Sequence, residues 1–505
     1  MNVEKINESY SVIEDDKSTI DGIKRLLKVE IPNSHFDKAV QYGIKDKYVY
    51  FYKTLSQTKI LVYNGHLSLL KNYGVCEHNE KSDVSDEEFN DYISSVSLPF
   101  TPYDYQLNNV KLALQNNKMI FSSCTSSGKS CSISLILNFF VKKGYKGILV
   151  VPNVNLLTQF ISDIKSYGLN ELADNTLLLG DGNISDFSKP LTITTWQSMT
   201  KEVKNLDKLN LDFIICDEVH RMASECTSDI IIKSVNTKIK LGFTGTLPED
   251  TIAKMTLIGL FGLPKTIITA SQLIERGLGT PVYIKSLVLN YNNDDKRKFK
   301  CLESYQEQLK FIKEHSKRTD IIVKIAISEF NKNKNLLVLF QHTEHGKDIF
   351  KKIINNIYNI DVSDEMIIGK KSLEFQKEHK VLFMNGEQSG KIREEQRQFM
   401  EQENGIILVG NYAVMSTGIN IRNLHTLIFA SPLKAFTTIS QSLGRLMRKH
   451  KNKTESVVID IVDNFGIRKP SGIFYSQYKH RLSSSYIPEE FSVKEIVKDL
   501  WKIAN

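Results

Sequence analysis

Residues 121–132 read FSSCTSSGKSCS, a run of small side chains that closes on Gly128, Lys129 and Ser130. A loop of this kind lets backbone NH groups approach phosphate oxygens, with the lysine reaching the β and γ phosphates and the hydroxyl ligating magnesium. A glycine usually stands five positions before the Gly-Lys pair, and here Ser123 holds that place. The tripeptide GK[ST] also arises by accident in roughly one chain in four of this length, so the loop needs company. FIICDEVH, residues 213–220, supplies it as an apolar run ending in two carboxylates. Asp217 can hold a magnesium ion that bridges two phosphates, and Glu218 can orient or deprotonate an attacking water. Acid pairs at helix starts are common. An apolar strand that delivers one downstream of a GKS loop is a joint event that chance supplies poorly.

The elements that would position these groups follow from periodicity. KMIF (118–121), GILVV (147–151), LTITT (191–195), LDFIIC (211–216) and IKLGFTG (239–245) are short apolar runs separated by helical patterns. Runs of this type read as buried parallel strands joined by crossover helices. After the GKS loop, Ile133, Ile136, Leu137 and Phe140 keep helical spacing, so strand, small-residue turn and helix follow in the order that suits phosphate binding. A second series, NLLVLF (335–340), KVLFMNG (380–386), GIILVG (405–410), TLIFAS (426–431) and SVVIDIV (456–462), predicts a second sheet of the same kind.

Composition sets the bounds. With 505 residues, 41% hydrophobic and 25% charged, the chain is an ordinary globular protein of two to four domains. The start is polar and acidic, which argues against a signal peptide, and no apolar run reaches membrane-spanning length. Six scattered cysteines without CxxC pairs indicate neither zinc nor a disulfide framework and fit a reducing cytosol, that of the host if the source is viral. The net charge is +8, yet residues 1–100 hold twelve Lys/Arg against sixteen Asp/Glu, a sum of −4. Seven acids against one lysine at 77–91 read as a solvated linker or short acidic helix at a domain boundary.

Taken in order, these motifs resemble those of the superfamily 2 helicases and translocases. The resemblance implies two tandem RecA-like P-loop domains of α/β class, at 99–282 and 283–470, after a small N-terminal α/β domain (1–98) and before a helical extension (471–505). YDYQ resembles the adenine-sensing element and implies that Gln106 contacts the base. SCTSSGKS resembles motif I in a variant where a small residue replaces the first glycine, giving Ser123, Cys124, Thr125, Ser126, Ser127, Gly128, Lys129 and Ser130 as the cradle for ATP. That geometry tolerates Ser126 if the position does not need a positive φ. Motif II is DEVH, with Asp217 and Ser130 implied as magnesium ligands. His220 of that motif, with Thr244 and Thr246 of the TGT resembling motif III, is implied to couple hydrolysis to movement.

VVPNVNLLTQ and TTWQSM resemble motifs Ia and Ic, which implies nucleic-acid contacts from Pro152, Gln159, Thr195 and Gln197. LFQHTEHG and STGINI resemble motifs IV and V, adding His342, Ser416 and Thr417 to that surface and Gly418 and Asn420 to the nucleotide. QSLGRLMR resembles motif VI. Helical spacing puts Gln441, Gly444, Arg445 and Arg448 on one face, and the family implies that Gln441 couples while Arg445 and Arg448 cross an interdomain cleft to the transferring phosphoryl group.

FQHTEHGK and STGINIRNLHTLIFASPLK most resemble the UvsW-type bacteriophage helicases. The branch implies ATP and Mg²⁺ as cofactors, forks, four-way junctions and R-loops as substrates, RNA within R-loops, and phage recombination or replication proteins as partners. An RNA helicase, a duplex translocase without strand separation and a catalytically silent annealing protein are the alternatives. In the N-terminal segment Tyr42, Tyr48, Tyr50, Phe51 and Tyr52 interleave with Lys45, Lys47 and Lys53, which suits either nucleic acid or one packed sheet face.

Overall fold

The computed structural model describes residues 1–75, 81–180, 187–202, 206, 208–369, 372–416, 421–433, 436–466 and 471–502. The chain divides into two compact units, 1–268 and 269–505, so the division falls ahead of the boundary expected after residue 282.

The first unit is built on a parallel sheet whose seven described strands run in the order Pro264–Ile268, Lys118–Ser123, Ile239–Thr244, Phe213–Cys216, Gly147–Val151, Leu191–Thr195, Thr176–Leu179. Every pairing is parallel. Both faces are buried, which is why the central strands read as continuous apolar runs. Phe121, Leu149, Phe213, Leu241 and Phe243 pack on one side with Ile133, Leu137 and Phe140 of the helix Lys129–Lys142. Ile120, Ile148, Ile214 and Cys216 face the other side with Leu257, Leu260 and Phe261 of the helix Thr251–Phe261. The two edge strands 176–179 and 264–268 went unread in the sequence because TLLL and PKTII are short and half-exposed.

Residues 1–75 form an antiparallel sheet ordered Asn2–Lys5, Tyr10–Glu14, Lys59–Tyr63, Tyr52–Thr54, a hairpin of Lys28–Glu30 with Tyr48–Tyr50, and the helix Lys17–Leu26. YVYFYK is thus two strands in two sheets, with Phe51 buried between them. This module is docked on the first sheet's helices, not tethered by a linker. The Glu8 amide donates to the Val235 carbonyl (2.9 Å), and the Lys240 ammonium, almost wholly buried, donates to Ser9 Oγ (2.9 Å) and the Ile231 carbonyl (3.1 Å). His66 Nε2 donates to the Met255 carbonyl at 2.8 Å, and burial pulls its imidazole down to about 4, so the ring is neutral. Gly65 lies so close to helix 251–261 that a Cβ would stand 2.0 Å from the Ile258 carbonyl oxygen. Within the acidic stretch, residues 77–80 lie outside the described residues, and Asp86–Ser95 is a helix capped by Ser85. Its buried Tyr92 donates to the Leu135 carbonyl at 2.6 Å.

The second unit holds another parallel sheet, ordered Val381–Met384, Ile407–Asn411, Leu336–Phe340, Thr426–Phe429, Ser456–Asn464, Val282–Asn290, Ser492–Asp499. The helical extension expected over 471–505 is corrected: helix Ile473–Arg481 leads into the strand 492–499, which pairs in parallel with 282–290. That strand is mostly exposed and charged, so its sequence lacks the apolar run of a central strand. Two buried arginines anchor this region. Arg318 forks onto Asp463 (2.8 and 3.1 Å), and Arg481 onto Asp460 (2.9 and 2.8 Å). Substitution Gly65→Ala is expected to lower stability by about 1–3 kcal/mol through overpacking, read as a fall in the thermal melting midpoint.

Candidate nucleotide-binding site

The phosphate loop connects strand 118–123 to helix 129–142, and its conformation departs from the expectation at one position. Ser126 has φ +73°, so the condition that residue 126 avoid positive φ is not met. A serine there bears a steric cost that glycine would not. Gly128 also has positive φ (+78°), and a Cβ on it would meet the Gln106 side-chain nitrogen at 2.3 Å, so glycine is required by both torsion and space. Lys129 Nζ donates to the Ser123 carbonyl at 3.2 Å. Ser123 and Ser127 are buried, and their hydroxyls lack partners among the described residues. Orphan hydroxyls beside an ammonium and a helix N-terminus are the groups a phosphate would satisfy.

Gln106 is held by both ends of its amide. Its Nε2 donates to the Ser127 carbonyl (3.0 Å) and its Oε1 accepts from the Tyr103 amide (3.0 Å). Tyr105 donates to the same carbonyl at 2.8 Å, a support for the loop that sequence reading missed. Tyr103 and Tyr105 stack, with ring centroids 5.6 Å apart.

Asp217 and Glu218 end the adjacent strand 213–216. The Asp217 amide donates to the Val150 carbonyl (2.9 Å), and its carboxylate accepts from the Glu218 amide (2.9 Å). Burial, with the Glu218 charge beside it, pushes the Asp217 carboxyl well up from its ordinary value. Burial also raises Glu218, but a hydrogen bond from His220 and the Lys129 ammonium outweigh it and draw the group down. Glu218 has φ +49°, a strained conformation of the sort that concentrates at working sites. His220 Nδ1 lies 2.9 Å from Thr244 Oγ1 and 3.3 Å from Glu218 Oε2. Thr244 Oγ1 in turn donates to the Thr246 carbonyl (2.7 Å) and accepts from its amide (3.2 Å). Three of the four residues expected to couple hydrolysis to movement, His220, Thr244 and Thr246, therefore form one continuous hydrogen-bonded path to the Glu218 carboxylate. The Ser130 hydroxyl hydrogen-bonds Asp163, whose carboxyl burial raises and that bond lowers. Asp163 was not read from the sequence because it sits in an ordinary amphipathic helix pattern.

The residues expected on a nucleic-acid strand divide by exposure. Gln159 and Gln197 are exposed, whereas Pro152 and Thr195 are buried. Thr195 Oγ1 is engaged by the Ser198 hydroxyl and amide at 3.1 and 3.3 Å, so it starts the helix Trp196–Glu202 and offers no free hydroxyl for a strand.

In the second unit, His342 precedes the helix Thr343–Tyr358 and its Nε2 lacks a partner among the described residues. The backbone of Ser416 ends the helix Tyr412–Ser416. Thr417, Gly418 and Asn420 lie outside the described residues, as does the side chain of Gln441. Arg445 sits near the end of helix Phe436–Leu446 and donates to the Met415 carbonyl. Arg448 was expected on the same helical face, but the helix ends at Leu446. The carbonyls there are claimed by other donors: Leu446 by Lys453 and Ser456, and Met447 and Arg448 by Thr280. A turn from Arg448 to the Arg445 carbonyl continues the path. Burial lowers both guanidinium groups to about 10, which leaves them charged at neutral pH.

The family model for the res subunit of type III restriction enzymes matches residues 99–249, the stretch that holds the loop, the acid pair and Thr244–Thr246. Across 493 residues the chain is 29% identical to the ATP-dependent DNA helicase uvsW of Enterobacteria phage T4, covering 94% of this chain and 92% of that protein. Among solved structures, the type ISP restriction-modification enzyme LlaBIII bound to DNA superposes with a TM-score of 0.55 at 16% identity, over 81% of this chain and 32% of that one. S. cerevisiae Dbp5 bound to RNA superposes at 0.51 with 13% identity, over 83% and 96%. These two share the fold, two parallel sheets of RecA-like type. With the loop, the acid pair and the His220–Thr244 path in place on such sheets, the chain is similar over nearly its whole length to the UvsW DNA helicase of phage T4.

Proposed function

We propose that the chain is an ATP-dependent DNA helicase that remodels branched DNA, including forks, four-way junctions and R-loops, in recombination and repair. The observation that carries the reading is the path from Glu218 through His220 to Thr244 and Thr246, beside the Lys129 loop, within a chain similar over nearly its whole length to a DNA helicase. Lys129 and the loop amides hold the β and γ phosphates. Glu218, kept ionised, orients and deprotonates the attacking water, while Gln106 meets the adenine.

The residues present fit magnesium. Among the described residues no cluster of three or more His, Cys, Asp or Glu could hold a metal unaided. Asp217 with Ser130 suits an ion that takes its other ligands from phosphate and water. Bound there, magnesium neutralises charge on the phosphate oxygens. Arg445 and Arg448 stabilise the transferring phosphoryl group, and Gln159, Gln197 and His342 grip the strand through its backbone, with little base reading.

An RNA helicase is the nearest rival, since the fold is shared with a protein solved on RNA. Matched DNA and RNA forks with the same sequence decide between them, and unwinding of the RNA fork alone would overturn the DNA assignment.

Four outcomes follow for the site. Lys129→Ala is expected to abolish turnover. Glu218→Gln is expected to bind ATP and not hydrolyse it, which a nucleotide-binding assay beside a phosphate-release assay separates. Arg448→Ala is expected to lower the DNA-stimulated rate by about 10³-fold, the magnitude typical of an arginine on a phosphoryl transition state. Normal hydrolysis with weakened DNA binding would instead make it a strand contact. Ser126→Gly is expected to retain turnover and to gain up to about 1 kcal/mol of stability by relief of the positive φ, measured by chemical denaturation.

A further inference from the structure

We infer that the basic face of helix Lys17–Leu26, together with Lys28 and Tyr52, is a docking surface for the phosphate backbone of a duplex arm. The inference deepens the proposed function and rests on it for the identity of the ligand.

The helix turns Ile20, Gly22 and Ile23 into the module's core. Lys17, Asp21, Lys24 and Arg25, at i, i+4, i+7 and i+8, fall on the opposite side, and Lys28 follows at the start of the strand Lys28–Glu30. With Ser18 and Tyr52 they line a concavity of about 750 Å³. Four cations thus share one hollow with a single carboxylate. Among the described residues none of the four forms an ion pair. The lysines singled out in the sequence differ: Lys45 stands 3.5 Å from Asp37 and Lys47 3.7 Å from Glu30, so their charge is already compensated.

The interleaved aromatics have a separate task. Tyr48, Tyr50 and Tyr52 lie on the outward side of their strands with ring centroids 6.4 and 5.7 Å apart, while Phe51 turns into the core. The Lys28 ammonium sits 3.7 Å from the centre of the Tyr48 ring and 5.6 Å from that of Tyr50. The rings fix that ammonium in place, and the Asp46 carboxylate, which accepts from the Tyr50 hydroxyl at 2.7 Å, feels its charge without forming an ion pair with it.

Shape and chemistry select the ligand. At 1.5 Å per residue the helical part of the row, Lys17 to Arg25, extends about 12 Å, and Lys28 prolongs it from the adjoining strand, a span that follows neighbouring phosphates along one strand of a duplex. The hollow itself offers charge and one half-buried ring, and the adjoining Tyr48 and Tyr50 rings are occupied by Lys28 and tilted against one another, so it fits a backbone better than an open single strand. Because Lys240, His66 and Gly65 lock the module to the first sheet, an arm seated here is held at a fixed distance from the phosphate loop.

Fluorescence anisotropy with the full-length protein tests the assignment. The probes are a labelled blunt duplex, a forked duplex and a single strand, titrated without nucleotide at several salt concentrations. The variant K24A/R25A/K28A is expected to bind both duplex-bearing probes about tenfold or more weakly, with the salt slope reduced by about 2 to 3, and to lose far less on the single strand. Removing the compensated charges in K45A/K47A is expected to change duplex binding by less than about twofold. Duplex affinity and salt slope equal to those of the unaltered protein would overturn the proposal, as would an equal loss on all three probes. ATP hydrolysis by the unaltered protein with and without DNA is measured alongside. Absence of stimulation there faults the motor reading, whereas the anisotropy comparison judges the docking surface by itself.

Discussion

The structure of the first unit depends on the parallel register of three neighbouring strands. Strand 239–244 lies between 118–123 and 213–216, pairing Thr244 with Ser122 on one side and Gly242 with Cys216 on the other. Parallel pairing sends all three chains out at the same edge of the sheet, where the phosphate loop, the acid pair and the Thr-Gly-Thr turn emerge side by side. A group of loops at the carboxyl ends of parallel strands is where open α/β sheets bind ligands. The short contacts that follow, Lys129 to Ser123 and His220 to Thr244, are consequences of that register. A slip of one residue in any of the three would separate them.

The second constraint is the close approach of the N-terminal module. The Ile258 and Gly259 carbonyls of helix 251–261 come within a Cβ's reach of Gly65, and His66 hydrogen-bonds a third carbonyl of the same helix, that of Met255. This helix follows the Thr-Gly-Thr turn, and strand 239–244 precedes it. The module therefore holds both flanks of the segment that contacts His220: Lys240 at the strand's start and Met255 to Gly259 beyond the turn. In physical terms it is part of the nucleotide-binding unit, and its basic helix is carried as a fixed projection of that unit.

Much of this was legible in the residues. Strands buried on both faces have no alternative to apolar runs, so nine central strands and the buried edge strand 381–384 could be placed from those runs, and the GKS and DEVH groups stood at strand ends. What escaped had weaker physical signals. Strands 176–179, 264–268 and 492–499 lie at sheet edges, where half the side chains meet water. Strand 282–290 is interrupted by Lys285 and Ser286. The buried pairs Arg318–Asp463 and Arg481–Asp460 look like surface charges until the fold brings partners from 145 and 21 residues away. The positive φ of Ser126 was unreadable because serine carries no mark of its torsion. The end of the helix at Leu446 depends on Thr280, Lys453 and Ser456, which lie outside the helix.

The burial of Lys240 against Ser9 also bears on how the chain is made. These residues are 231 positions apart, and synthesis delivers Ser9 long before its partner. Until strand 239–244 and helix 251–261 have left the ribosome, the face of the module that holds Gly65 and His66 has nothing to pack against. Closing so long a loop is entropically costly and slow compared with local contacts. The module at the front of the chain thus completes its burial only after the first sheet is assembled, and a nascent chain halted before residue 261 carries an open apolar face that invites aggregation or a chaperone.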